Sequence, residues 1–171
     1  MHIREERDED ADGIRAVNNA AFGGENESAL IDRLRGDDLL VVSLIAEEYG
    51  EIVAHIAFSE LEVTSNDHKR SIRAAALAPM SVAPTHQRLG IGSELVRQGI
   101  EKCRENGIEA VVVVGHERFY PRFGFSAEIA ECLKSSFSGP FYMVLPLKHG
   151  VFDDFSGFVI YPDAFDAENS K

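Results

Sequence analysis

The chain has 171 residues, 44% of them hydrophobic and 27% charged, and a formal net charge of −12; this is a globular composition, long enough for one domain with a sizeable core, and its acidic excess argues against a nucleic-acid partner, which would need clustered Lys and Arg. Cys103 and Cys132 are its only cysteines and lack metal-ligand spacing, so neither a disulfide framework nor a metal site is expected, and a reducing cytoplasm is the predicted setting. The segment Met1 to Asp10 is too acidic and polar for a secretory leader, and no run of about 18 apolar residues offers a membrane span.

In chain order, His2 to Arg7 reads as a short strand. Asp10 or Asp12 then caps a helix carrying Ile14, Val17, Ala21 and Phe22 at helical spacing, which Gly23-Gly24 ends. A second helix covers Glu27 to Arg35 with Leu30 and Leu34 on its buried face. Leu39 to Glu47 and Glu51 to Thr64 form a hairpin through Tyr49-Gly50. After the polar turn Ser65 to His68, Ser71 to Val82 is a third long strand; Pro79, which has no amide N–H, implies an edge, a bulge or a splayed strand there. Gly90 to Asn106 is helical, with Leu95, Val96, Ile100 and Cys103 in one stripe and Gly107 as its stop. Ala110 to Val114 is a strand suited to burial on both faces. Ser126 to Glu131 and Phe141 to Leu147 read as two later strands. From Gly150 onward, Phe152, Phe155, Phe158, Tyr161 and Phe165 make the tail too aromatic for disorder, so it should pack on the rest of the chain or on a second copy in a homodimer. With no repeat or linker, residues 1–171 are expected to form one domain, with a core over about 2–147 and a packed tail over 148–171.

The stretch from Leu77 to Gly92 runs from an apolar strand into a Gln87-x-x-Gly90-x-Gly92 turn and straight into a helix. Backbone N–H groups at such a helix start have no preceding carbonyls, converge on one point and meet the positive end of the dipole; an anion such as pyrophosphate fits there. A P-loop would need a Lys after the turn, and a dinucleotide fingerprint would need a third Gly where Leu95 stands. The turn instead resembles motif A of the GNAT superfamily of N-acetyltransferases, and Tyr120-Pro-Arg-Phe-Gly124-Phe125 is similar to the Tyr-x-x-x-Gly-Phe of its motif B. The lead-in Leu77-Ala-Pro-Met-Ser-Val-Ala-Pro84 resembles the YhbS-like subgroup of predicted acetyltransferases, and His2 to about Leu147 can be laid on that pattern.

The resemblance implies an α/β (α+β) GNAT fold: a central mixed, mostly antiparallel twisted sheet, splayed between strands 4 and 5 and flanked by helices. It implies acetyl-coenzyme A as co-substrate, without a metal. By the same resemblance, the backbone of Met80, Ser81 and Val82 would bind the thioester carbonyl and pantetheine amides. The turn Gln87, Arg88, Leu89, Gly90, Ile91, Gly92 and Ser93 would hold the pyrophosphate, and His116 would face the coenzyme.

Acetyl transfer to an amine needs a neutral nucleophile, stabilisation of an oxyanion and a proton for the departing thiolate. Tyr120 stands where the family places the phenol that reaches sulfur, though the aromatic cluster Phe119, Phe123 and Phe125 would equally account for a packed tyrosine. His55 is the candidate base, and the other reading of a histidine among Val53, Ala54, Ile56 and Ala57 is a hydrogen-bonded core residue. Glu27 would shape the acceptor pocket or simply complement the dipole of its helix. Many family members carry Asn where this chain has Val113. The expected function is transfer of an acetyl group to a primary amine of a small molecule or a protein, directly in a ternary complex; the alternative is a non-catalytic acyl-coenzyme A-binding module.

Overall fold

A computed structural model describes residues 1–169. Apolar runs on either side of a Tyr49-Gly50 tip make the central hairpin, β2 (Leu40–Glu48) and β3 (Glu51–Ser65). Its two tip residues have φ of 51° and 82°, the left-handed conformation that matches the twist of tight hairpins. β1 (His2–Glu5) adds to β2, and β4 (Ser71–Val82) returns along β3. The helices α1 (Ala11–Phe22) and α2 (Asn26–Gly36) lie between β1 and β2 in sequence, and α3 (Ile91–Glu105) links β4 to β5 (Ala110–Val114). A one-turn helix α4 (Ala127–Ala130) and the strands β6 (Leu133–Lys134), β7 (Tyr142–Pro146) and β8 (Gly157–Ile160) follow.

The sheet order is β1-β2-β3-β4-β5-β7. The pairs are antiparallel except β4–β5 and β6–β8, and β8 continues the edge of β3 beyond the end of β2 by pairing Ser65 with Gly157 through Glu62 with Ile160. This is the mixed, mostly antiparallel GNAT sheet that the motifs imply. Alternation along β4 and β5 sends Ala75, Leu77, Val111 and Val113 to the α3 face, where Leu95, Val96, Ile100 and Cys103 cover them. The other face carries Ala74, Ala76, Ala110 and Val112 under Leu30 and Leu34 of α2 and the tail aromatics Phe155 and Phe165. β5 is therefore apolar throughout, and β4 is apolar from Ala74 to Met80.

One irregularity positions the site. Ile56 pairs with Met80 but Phe58 with Leu77, so Ala78 and Pro79 together oppose the single residue Ala57. A proline is tolerated at such a bulge because no ladder hydrogen bond is asked of it. β4 pairs with β5 only from Ala74–Ala110 to Ala76–Val112; beyond that β4 stays with β3 as far as Val82, while β5 stays with β7 as far as Val114. The two strands diverge, and a wedge opens between residues 77–82 and 113–114.

Several details depart from the pattern read in the sequence. Ser126 to Glu131 is not a strand. Ser126 makes one bridge to Val144, and its Oγ then accepts from the Ile129 amide at 3.1 Å, capping α4. Phe22 is 46% exposed because α1 ends past the core. Asp10 precedes α1 without a side-chain cap; its carboxylate accepts from Arg4 at 2.6 and 2.9 Å and from the Arg7 amide at 2.7 Å. Arg4 thereby holds that carboxyl below its ordinary range. Among the described residues, no helix is long and apolar enough to cross a membrane.

Candidate active site

At the end of β4 the chain turns through a short helical stretch at Pro84–His86 and enters α3. Gly90, with φ of 85°, supplies the left-handed step into the helix, and Arg88 just before it has φ of 63°. The first helical bond runs from the Glu94 amide to the Gly90 carbonyl at 3.1 Å. The amides of Ile91, Gly92 and Ser93 therefore have no acceptor inside the helix, and they add to the positive dipole end. A Cβ built on Gly90 would meet nothing within 4 Å, so the turn into the helix is open beside Gly90. One on Gly92 would touch Met80 Cε at 3.5 Å and Val82 Cγ2 at 3.6 Å, which shows how closely α3 abuts the end of β4. The candidate residues Met80, Ser81 and Val82 and the turn 87–93 are thus brought together at one mouth of the wedge. Gln87 is the exception in role, since its amide nitrogen donates to the Val82 carbonyl at 3.0 Å and fastens the turn to the strand. Leu89 is 70% exposed.

A cation that the sequence did not single out completes this mouth. Arg122 lies over the rings of Phe119 and Phe123, 4.6 and 5.6 Å from their centroids, and reaches Ser93 Oγ in the first turn of α3 at 3.5 Å. Stacked between aromatic contacts and a helix start, it holds a positive charge beside the open amides of a protein whose net charge is −12. Only the tertiary fold places positions 93 and 122 together. The donors and Arg122 fit an anionic diphosphate.

Tyr120 opens the short helical turn Tyr120–Phe123. Its ring is 7% exposed and meets Phe119 and Phe125 edge-on at 5.0 and 5.6 Å. It lines, with Met80, His116, Phe119, Arg122 and Phe141, a cavity on the α3 face of the wedge. Its hydroxyl has no hydrogen-bond partner among the described residues and is not sealed from solvent. Burial pushes the phenol up to about 12, so it stays protonated at any ordinary pH and acts as a donor. His116 is exposed at the rim of the same cavity.

His55 goes elsewhere. It is fully buried between α1 and the hairpin, with Asn18 Nδ2 at 3.3 Å from Nδ1 and Ser43 Oγ at 2.9 Å from Nε2. Asn18 also donates to the Ile14 carbonyl at 2.8 Å, which makes Nδ1 the acceptor and Nε2–H the donor to Ser43. The Ser43 hydroxyl passes on to Glu6, and Glu6 pairs with Arg35 at 3.0 Å. Burial pushes the imidazole down to about 4. The geometry is that of a neutral core histidine with both nitrogens used, and it is not brought to the wedge with Tyr120. Glu27 is half-buried in the first turn of α2, one turn before Leu30 on the same helical face.

Residues 2–127 match the acetyltransferase (GNAT) domain family. The chain is 30% identical to the uncharacterized N-acetyltransferase YhbS of Escherichia coli (strain K12) over 168 residues, 96% of this chain and 98% of that protein. It is 38% identical to the uncharacterized N-acetyltransferase YjhQ of the same organism over 127 residues, 73% of this chain and 68% of that protein. Among solved structures, YhbS from E. coli in complex with CoA superimposes with a TM-score of 0.88 at 28% identity, covering 96% of this chain and 91% of that one. A GNAT family acetyltransferase from Brucella melitensis in complex with acetyl-CoA does so with a TM-score of 0.78 at 34% identity, covering 96% and 97%. With its open helix start behind a splayed strand pair, and with these relatives, the chain belongs to the GNAT family of acetyltransferases.

Proposed function

We propose that this acetyltransferase moves the acetyl group of acetyl-coenzyme A directly to a primary amine, of a small molecule or a protein, with both substrates bound at once. The observation that carries the reading is the wedge itself: a β4 edge without its β5 partner beyond Ala76, an anion cradle at one mouth and a protonated phenol on one wall. The relatives solved with CoA and with acetyl-CoA support the identity of the co-substrate.

In this reading the amine attacks the thioester carbonyl, the new C–N bond forms and the C–S bond breaks. Free β4 amides near Met80 to Val82 are the donors available to the developing oxyanion. Tyr120 gives its proton to the leaving sulfur and regains one from the nitrogen through water, so a phenol held up to about 12 ends the cycle unchanged. Neither cysteine is suited to carry the acetyl group. Cys103 is fully buried in the α3 stripe, its thiol pushed up to about 12 by burial, and Cys132 is also raised by burial.

The sealed position of His55 favours one other reading, a module that binds acyl-coenzyme A without turnover. Tyr120→Phe separates them. Free thiol release in an amine screen should fall by about 10² to 10⁴ in kcat, with coenzyme A affinity nearly unchanged. No thiol release from the parent protein with any amine would leave the binding module, and a stable acetyl-enzyme in the mass spectrum would replace direct transfer by a two-step route.

A further inference from the structure

The wedge has a second face. Opposite the cavity that holds Tyr120, a smaller pocket of about 210 Å³ opens against residues 76–78 of β4 and 112–114 of β5, where the two strands stop pairing. Leu30 of α2 forms one wall, and Phe137, Tyr161 and Phe165 form the other. No charged side chain lines it. The three rings stand edge to face in series, Phe137 to Tyr161 at 4.7 Å and Tyr161 to Phe165 at 5.2 Å, and Phe165 is 5% exposed, so this wall is packed and already shaped.

We propose that this pocket takes an aromatic ring or a branched aliphatic group of the acceptor, so that the enzyme acts on arylalkyl- and alkylamines in preference to small polar amines or polyamines. The inference rests on the acetyl-transfer reading. Its position follows from the topology: the co-substrate's cradle and Tyr120 lie on the α3 side of the sheet, and an attacking amine must approach the carbonyl from a direction the thioester arm leaves free. Size sets the group. An apolar cavity of about 150 Å³ accepts a benzene ring, so the pocket has room for a ring and a methylene or two. Chemistry sets the class, because a second ammonium or a hydroxyl buried here would have no charged partner and, apart from the Tyr161 hydroxyl, no side chain to hydrogen-bond.

The test is a comparison of 2-phenylethylamine, 3-methylbutylamine, ethanolamine and putrescine, read by thiol release. It is paired with calorimetry of 2-phenylethylamine binding to the enzyme saturated with coenzyme A, a readout that needs no turnover. The two apolar amines should show kcat/KM at least tenfold above the polar ones. Ala78→Leu, at a partly buried position, fills the pocket and should lower the ratio of kcat/KM for 2-phenylethylamine over ethanolamine at least tenfold and weaken the calorimetric affinity similarly. If that variant does not fold, Phe137→Ser, in the loop before β7, removes one wall and should weaken 2-phenylethylamine binding severalfold. Equal kcat/KM across the four amines, or unchanged selectivity in the variant that folds, overturns the proposal. So does a loss confined to hexanoyl-coenzyme A as donor with amine selectivity intact, which would assign the pocket to the acyl chain. Calorimetric binding of 2-phenylethylamine that the variant weakens, with no thiol release from any amine, would support the pocket's ligand while refuting acetyl transfer.

Discussion

Gly115→Ala tests the role proposed for Tyr120 without substituting the tyrosine itself. A Cβ at position 115 would lie 2.8 Å from Tyr120 Cδ2 and closer still to Cε2. Carbon atoms rest comfortably at about 3.5 to 4.0 Å, so the ring has to retreat by roughly 1 Å. Phe119 and Phe125 hold it from two sides at 5.0 and 5.6 Å, and little slack is available. Overpacking of this kind costs about 1 to 3 kcal/mol, which for a chain of this size corresponds to a fall in Tm of about 2 to 12 °C. A misplacement of about 1 Å at a reacting group also costs about 10²-fold in rate. We therefore expect kcat for an accepted amine to drop about 10²-fold in Gly115→Ala, well below any loss in folded fraction at the assay temperature. The double variant Gly115→Ala/Tyr120→Phe decides the reasoning. If the methyl acts by moving the hydroxyl, the double variant is no slower than Tyr120→Phe alone. Losses that multiply, or a Gly115→Ala enzyme with parental kcat, would refute it.

Acetyl-coenzyme A at about 100 times its Kd should stabilise the fold by roughly 2.7 kcal/mol in thermal unfolding, and Gly92→Asp should abolish that shift by adding a negative charge to the first turn of α3, against Met80 and Val82. Arg122→Gln should weaken coenzyme A binding in calorimetry by about tenfold or more, the loss of one charge-assisted contact, while the unliganded Tm stays near the parent's because the side chain is exposed; unchanged affinity would remove Arg122 from the site. His55 predicts a pH dependence of stability. Its folded pKa of about 4 lies below the ordinary 6.5, so the unfolded chain takes up the proton first; the stabilisation is complete above about pH 6.5 and is lost progressively as pH falls toward 4, on the order of 3 kcal/mol in all. Urea midpoints measured between pH 7 and pH 4 should fall more in the parent than in His55→Gln, and parallel curves would count against a neutral buried imidazole.

The elements that were legible in the sequence share a physical cause. β5 and the middle of β4 were readable because a stretch covered on both faces is apolar at consecutive positions, as from Ala74 to Met80 and from Ala110 to Val114, and α3 because its stripe and its glycine stop are local signals. The bulge was announced by Pro79, which lacks the donor a ladder requires. Ser126 to Glu131 misled because six residues carry too little periodicity to separate strand from helix, and a serine cap decided it. In the site, the cradle was legible because its chemistry is backbone and its glycines are local. His55 gave two readings from one pattern, since a histidine among apolar neighbours looks the same whether it faces a cleft or a serine. Arg122 and Phe137 were hidden for another reason: nothing local distinguishes them, and their partners lie far away in sequence; the aromatic tail announced that Tyr161 and Phe165 would pack but not against which residues.

The open edge of β4 has a consequence for what the protein excludes. Unpaired strand edges usually invite another polypeptide to add on, the route by which sheets aggregate. Here the edge lies inside the sheet, between two arms that part only after Ala76. A docking peptide would have to bring side chains on both of its faces into a gap walled by Met80, Tyr120 and Phe141 on one side and by Phe137 and Phe165 on the other. A slender chain with amides and no branches meets no such obstacle. A gap walled in this way would act as a sieve for thickness, admitting a thread where it refuses a ribbon.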